Sequence, residues 1–265
     1  VFNFEENPSL CGIFEQDLDV KRILLELGVT RGKAIQPKKT LMILDEIQAC
    51  EKALTSLKYF QENAPEYHIA CAGSLLGIAL HENQSFPVGK VDFMTLYPMS
   101  FEEFLIAMDQ KMLTGYLDSL KLGQTISEPI ANQLTGYLRQ YYMIGGMPEA
   151  VMTWKETQDL RRVETVQQSI ISSYELDFAK HAPRTEFPKL SAIWASIPQQ
   201  LSKPNSKFFF SHVKKGWRAK DLENALEWLI RAGLLHKVCM IEKPYIPLSA
   251  YADATSFKLY LCDVG

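Results

Sequence analysis

Between Thr40 and Glu46 an uninterrupted apolar run, Leu41-Met-Ile-Leu44, ends in two adjacent acids, Asp45 and Glu46. A short apolar run bounded by turn signals reads as a strand buried on both faces. Ala53, Leu54, Leu57 and Phe60 then recur at helical spacing over residues 49–63. Pro65 closes that helix, and Tyr67 to Ala72 is a second buried-strand candidate. Strand, helix, strand at this spacing predicts a βαβ unit and a parallel sheet, which confines this part of the chain to the α/β class. Open parallel sheets bind ligands at the carboxyl ends of their strands. Two adjacent acids at such an end can divide the work of phosphoryl transfer, because successive strand side chains point to opposite sides. One carboxylate holds Mg²⁺, directly or through water, and the other orients the attacking water. The same acids can instead cap the helix that follows. The second strand leads into Gly73-Ser74. A parallel neighbour brings Ser74 to the same edge, where a hydroxyl can hydrogen-bond a γ-phosphate or the water. A plain turn serine before a helix over 75–81 is the alternative.

Composition narrows the class further. Of 265 residues, 47% are apolar and 22% charged, which excludes wholesale disorder and fits one large or two small domains. The uncharged stretch Ile69 to Leu80 is too short for a bilayer span, which needs about 20 apolar residues. The N-terminus lacks the basic-then-apolar order of a signal peptide. Cys11, Cys50, Cys71, Cys239 and Cys262 are scattered without CxxC spacing, so neither a zinc site nor a disulfide framework is expected, and a cytoplasmic location fits. The histidines (His68, His81, His181, His212, His236) stand apart from metal-ligand partners in sequence. The net charge of −3 is unevenly spread: residues 1–150 hold 12 Lys+Arg against 19 Asp+Glu (−7), and residues 151–265 hold 16 against 12 (+4). Lys203 to Lys220 carries six basic residues and no acid. Such a split suits a nucleotide-handling half and a half that meets an anion.

Further expectations follow along the chain. Val1-Phe-Asn-Phe4 reads as a strand, and residues 9–28 as a helix stopped by Gly28. Residues 100–122, 130–144 and 149–180 read as helices, with Ser100 and Glu103 forming a capping box and Gly145-Gly-Met-Pro148 a break. Pro183 to Pro188 reads as a linker. Beyond it come helix 189–202, strand 207–210, helix 219–232 and strands 234–241 and 257–262, the order of a winged helix. Both ends of the sequence read as strands, so a fragment of a longer protein is expected.

The series Leu41-Met-Ile-Leu-Asp-Glu-Ile-Gln48, Leu57-Lys-Tyr-Phe60, Ala72-Gly-Ser-Leu-Leu-Gly-Ile-Ala-Leu80, Ser85-Phe-Pro-Val-Gly-Lys-Val91 and Leu96-Tyr-Pro-Met-Ser-Phe-Glu-Glu-Phe-Leu105 resembles the prokaryotic AAA-superfamily P-loop ATPases that carry an uncharacterised C-terminal domain. Gly145-Gly-Met-Pro-Glu149 and the winged-helix-like end match the second half of that group. The resemblance implies ATP and Mg²⁺ as cofactors. It implies Asp45 as the metal-associated Walker B acid, Glu46 as the catalytic base and Ser74 as the sensor at the next strand end. It also implies a phosphate-contacting cation at Lys90, where the group often has arginine, a better bidentate donor. The group's phosphate loop, G-x-x-x-x-G-K-S/T, is expected ahead of the first strand; no such run occurs in the 265 residues. The group also tends to continue beyond Gly265 into a nuclease-like segment.

These observations lead to an α/β protein in three parts. With the resemblance, residues 1–100 are expected to form a partial P-loop ATPase core, 101–182 a helical segment, and 183–265 a winged-helix-like module. The expected function is ATP hydrolysis driving conformational change. The alternatives are a non-catalytic DNA-binding module or a protein-interaction scaffold. In the module, Leu222, Ala225, Leu226, Leu229 and Ile230 form the core face of a candidate recognition helix. Lys214, Lys215, Arg218 and Lys220, at its start, are the candidate phosphate contacts. Asp221, Glu223 and Glu227 on the helix itself oppose base reading, since they repel the DNA backbone.

Overall fold

Asp17-Leu18-Asp19 splits the helix expected over 9–28 into α1 (Cys11–Gln16) and α2 (Val20–Arg31). The acids divert the backbone. Asp17 accepts from the Asp19 N–H, and Asp19 caps α2 by accepting from the Arg22 N–H at 3.0 Å. Arg22 then ties the break together through Asp17, Glu26 and the Ile13 carbonyl. Gly28 does not stop α2. It lies inside the helix, where an added Cβ would stand 3.1 Å from the Lys33 carbonyl, and Gly32 at φ 62° is the stop.

The structure, a computed structural model, describes residues 1–73 and 89–265, so the helix expected over 75–81 lies outside the described residues. The chain divides into two units, Val1–Thr95 and Leu96–Gly265. In the first, β1 (Phe2–Asn3), β2 (Leu41–Asp45) and β3 (His68–Cys71) form a parallel sheet in the order β1-β2-β3, with α3 (Glu51–Asn63) crossing from β2 to β3. The registers are Phe2↔Leu44, Asn3↔Asp45, Met42↔Ile69 and Leu44↔Cys71. Phe2, Met42 and Leu44 face a core shared with α1, α2 and α3, in which Phe4 and Phe14 meet edge to face. Burial on both faces does not hold. Met42 and Leu44 are buried, Ile43 is half-buried and Leu41 exposed, while β3 leaves His68 and Ala70 exposed. One face of the sheet meets the apolar cluster, and Asn3 and Asp45 fall on the other by strand alternation.

In the second unit the helices expected over 100–122 and 149–180 are each interrupted. α4 (Phe101–Ala107) and α5 (Lys111–Ser119) are separated at Asp109, φ 60°, and α7 (Pro148–Thr157) and α8 (Leu160–His181) at Gln158, φ 51°. Between them runs α6 (Glu128–Ile144). The capping box at Ser100 and Glu103 is present. These helices enclose two small apolar clusters, around Phe104, Ile144 and Val151 and around Leu105, Leu113 and Leu134. A separate cluster holds α9 (Phe187–Leu201), α10 (Ala219–Arg231) and the antiparallel hairpin of β4 (Leu235–Ile241) and β5 (Ala252–Leu261). Phe178 of α8 lies within it, edge to face with Trp194 and Trp228. α9 starts inside the expected linker, with Pro188 tolerated in its first turn. Residues 207–210 are not a strand. The Phe208 N–H donates to the Phe257 carbonyl at 3.0 Å, but the chain then turns into a 3-10 helix, Phe210–His212.

Candidate active site

β2 delivers Asp45 at its carboxyl end, and the chain leaves the sheet there in a strained turn. Glu46 has φ 50°, ψ 45°, the left-handed region that a residue with a Cβ adopts only at a cost of about 1–2 kcal/mol. Neighbouring bonds hold it there. The Ile47 N–H donates to the Ala72 carbonyl at 3.1 Å, the Ala49 N–H to the Glu46 carbonyl at 2.9 Å, and the Ile47 side chain is fully buried. The Ala72 N–H donates in turn to the Leu44 carbonyl, so the ends of β2 and β3 are laced together.

Asp45 is half-buried and doubly held. Its Oδ2 accepts from the Asn3 amide at 3.0 Å, and its Oδ1 from the Glu46 N–H at 3.2 Å. The Asn3↔Asp45 register makes the first contact, because residues opposite each other on neighbouring strands project to the same face. The Glu46 carboxylate accepts from the Gln48 amide at 2.5 Å. Gln48 comes from the 3-10 turn Ile47–Ala49 and lies against Gly73 at the end of β3. Sequence reasoning assigned no role to Asn3 or Gln48. For Asn3 the signal was a polar residue ending an aromatic strand, meaningful only once its register with Asp45 is known.

The described residues contain no group of three or more His, Cys, Asp or Glu able to cage a metal. The adjacent carboxylates of Asp45 and Glu46 are a donor set of the kind that fits Mg²⁺, which takes one or two carboxylates and completes its shell with waters and substrate phosphates. Ser74 lies outside the described residues. Lys90 pairs with Glu62 at 3.4 Å, near the end of α3, about 16 Å along the helix from its start beside the acids. The structure therefore brings Asn3, Asp45, Glu46, Gln48 and Gly73 together and leaves Lys90 apart from them.

In the second unit Lys214, Lys215, Arg218 and Lys220 are all exposed at the entry to α10. The Lys214 ammonium lies 4.7 Å from the Trp217 ring centre, and the Arg218 N–H donates to Asp221. Glu223 and Glu227 are exposed on the helix, Glu227 paired with Arg231 at 3.1 Å. A different contact joins the end of β5 to the glycine break. Asp263 Oδ1 accepts from the Gly146 N–H at 2.7 Å.

Residues 1–105 match the family described as "AAA domain", and residues 135–265 match a domain of unknown function, DUF8612. No curated protein matches the chain significantly. Among solved structures the chain is similar to the Walker-type ATPase PABY2304 of Pyrococcus abyssi. The identity is 16%, the TM-score 0.53, and the match covers 93% of this chain and 65% of that one. At that identity the likeness is one of fold, a mixed α/β core with a parallel sheet, and the chain spans 65% of the length of the structure it matches.

Proposed function

We propose that the chain carries the metal-holding and water-handling half of an ATP-hydrolysing site of the AAA type. The observation that supports it is the pair of acids at the carboxyl end of β2, with Asp45 in register with Asn3 and Glu46 set between Leu44 and Ile47, whose backbone bonds to Ala72 lace this turn to the end of the parallel neighbour β3. Asp45 would hold Mg²⁺, with the Asn3 amide fixing one carboxylate oxygen. Bound there, the ion would neutralise phosphate charge. Glu46 accepts a proton from, and orients, the attacking water. Ser74, next after Gly73, is proposed as the hydroxyl that senses the phosphate from β3. Lys90 is proposed as a phosphate contact only if its pair with Glu62 opens. Such a site also needs a phosphate loop, and no G-x-x-x-x-G-K-S/T run occurs in these 265 residues. The winged-helix-like module, α9 to β5, is proposed to receive the conformational change, in the cytoplasm.

The test is Glu46→Gln in the protein carrying that loop. The amide keeps the shape but accepts no proton. Mg·ATP should still bind while turnover falls by about 10²–10⁴-fold. Unchanged steady-state hydrolysis removes Glu46 from the mechanism.

A second reading concerns the cations at the start of α10. Among the described residues none of Lys214, Lys215, Arg218 and Lys220 forms a salt bridge with a carboxylate. That supports phosphate contact with DNA. The exposed Glu223 and Glu227 support a protein-facing or internally docked helix instead, and the Asp263–Gly146 bond favours that use of the module.

A further inference from the structure

We infer that Gln48 is a positioning residue. Its carboxamide clamps the Glu46 carboxylate and, wedged against Gly73, makes the direction of that carboxylate depend on the end of β3. The inference rests on the reading of Glu46 as the water-orienting group.

The Gln48 side chain folds back two residues to place Nε2 2.5 Å from Glu46 Oε2. The orientation of the amide is fixed by chemistry, since only the NH₂ end can face a carboxylate. The other end, Oε1, is buried and has no hydrogen-bond partner among the described residues. Burying an amide oxygen unpaired is unfavourable, so this placement is sustained by what surrounds it. The backbone is pinned next door, where Ile47 is fully buried and its N–H is bonded to Ala72.

Gly73 supplies the opposite wall. A Cβ built there would lie 2.1 Å from Gln48 Oε1 and 3.1 Å from its Cδ. The φ of Gly73 lies outside the left-handed region, so the backbone does not demand glycine. The carboxamide occupies the space a side chain at 73 would take, so an added Cβ would push the amide aside. A shift of Gly73 therefore reaches Glu46 through one amide group. Glu46 is receptive to such a shift, because its left-handed backbone persists only while its neighbours hold it.

Two measurements test this. By NMR on the 265-residue chain, one Gln48 side-chain amide proton should resonate downfield of the other glutamines and exchange slowly. Glu46→Ala should abolish that signature and Gly73→Ala should move it. A Gln48 amide indistinguishable from exposed glutamines overturns the clamp. In the ATP-hydrolysing protein, Gln48→Ala should lower kcat about tenfold, the loss typical of one hydrogen bond to a charged group, with KM for ATP within about twofold. Gln48→Met fills the same volume without a donor and should behave as Ala; wild-type kcat in this variant reduces Gln48 to packing. Gly73→Ala should match the loss, and the double variant should be no worse than either single one. Effects that multiply overturn the coupling. A parent protein that shows the amide signature but hydrolyses no ATP sinks the reading of the site and leaves the clamp. A parent that hydrolyses ATP with Gln48 variants unaffected does the reverse.

Discussion

At the residue scale, burial controls the chemistry of the thiols. Burial pushes Cys50 up to about 12, with the neighbouring Cys11 thiol adding to it, and pushes Cys71 up to about 12 by itself. Tyr174 is likewise pushed up to about 12, first by burial and then by Cys262 and Asp263. For each group the folded chain holds the proton more tightly than the unfolded one, whose thiols titrate near 9.0 and tyrosine near 10.0. The sign follows from proton counts. Below pH 9 both states are protonated and stability is undiminished; between about 9 and 12 the unfolded state releases protons first, so stability falls as pH rises. Thermal melts from pH 8 to 11 should show a declining midpoint, and Cys71→Ala should make the decline shallower. A midpoint that rises through this window contradicts the burial account. Alkylation at pH 8.5 should label Cys50 and Cys71 last.

At the element scale, close backbone approaches mark where sequence tolerance ends. Gly146 exchanges contacts with Met99, whose N–H donates to the Gly146 carbonyl at 2.8 Å and whose carbonyl receives the Tyr141 hydroxyl at 2.7 Å. A Cβ on Gly146 would stand 2.3 Å from the Met99 carbonyl oxygen and 2.7 Å from its nitrogen, and backbone cannot yield as a side-chain end does. Gly146→Ala should cost about 1–3 kcal/mol in urea unfolding, the range of overpacking. Gly136 is the contrast: it lies inside α6 with nothing within 4 Å of an added Cβ. Gly136→Ala should stabilise by about 0.5–1 kcal/mol through helix propensity. Equal effects at the two positions refute the packing argument.

At the scale of the whole molecule, each unit predicts its own ligand behaviour. The 265 residues contain no G-x-x-x-x-G-K-S/T, so the backbone donors and lysine that cradle β- and γ-phosphates are not among them. Calorimetry of this chain with Mg·ATP should show affinity weaker than micromolar, and micromolar binding would relocate the site. For the second unit, any DNA contact should be through phosphates, because the exposed cations lie at the entry to α10 while its exposed face carries Glu223 and Glu227. Log K should then fall with log[salt] by about 0.9 per neutralised phosphate. Changing Lys214, Lys215 and Arg218 together to Ala should flatten the slope accordingly in anisotropy titrations. Equal affinity of the variant, or no binding by the parent at low salt, assigns the module to internal docking.

The apolar run into Asp45 and Glu46, the periodicity of α3 and the run after Pro65 sufficed for the parallel βαβ order. Hydrophobic spacing and breakers are local signals, and right-handed crossover leaves little topological choice. The Ser100 cap and the apolar face of α10 were legible for the same reason. Helix continuity was not. Asp17, Asp19, Asp109 and Gln158 end helices through side-chain competition or left-handed backbone, which periodicity does not register. A strand was expected at 207–210, but the packing of Phe208 and Phe210 on Phe257 is equally served by a turn. The partners of the acids were the least legible. That Asn3 holds Asp45 depends on strand register, and that Gln48 reaches Glu46 depends on the left-handed turn and on the empty place at Gly73. Residue type and spacing could name the acids at the strand end; only the tertiary structure could bring residues 42 positions apart within 3.0 Å, because register and turn geometry are set by contacts between elements.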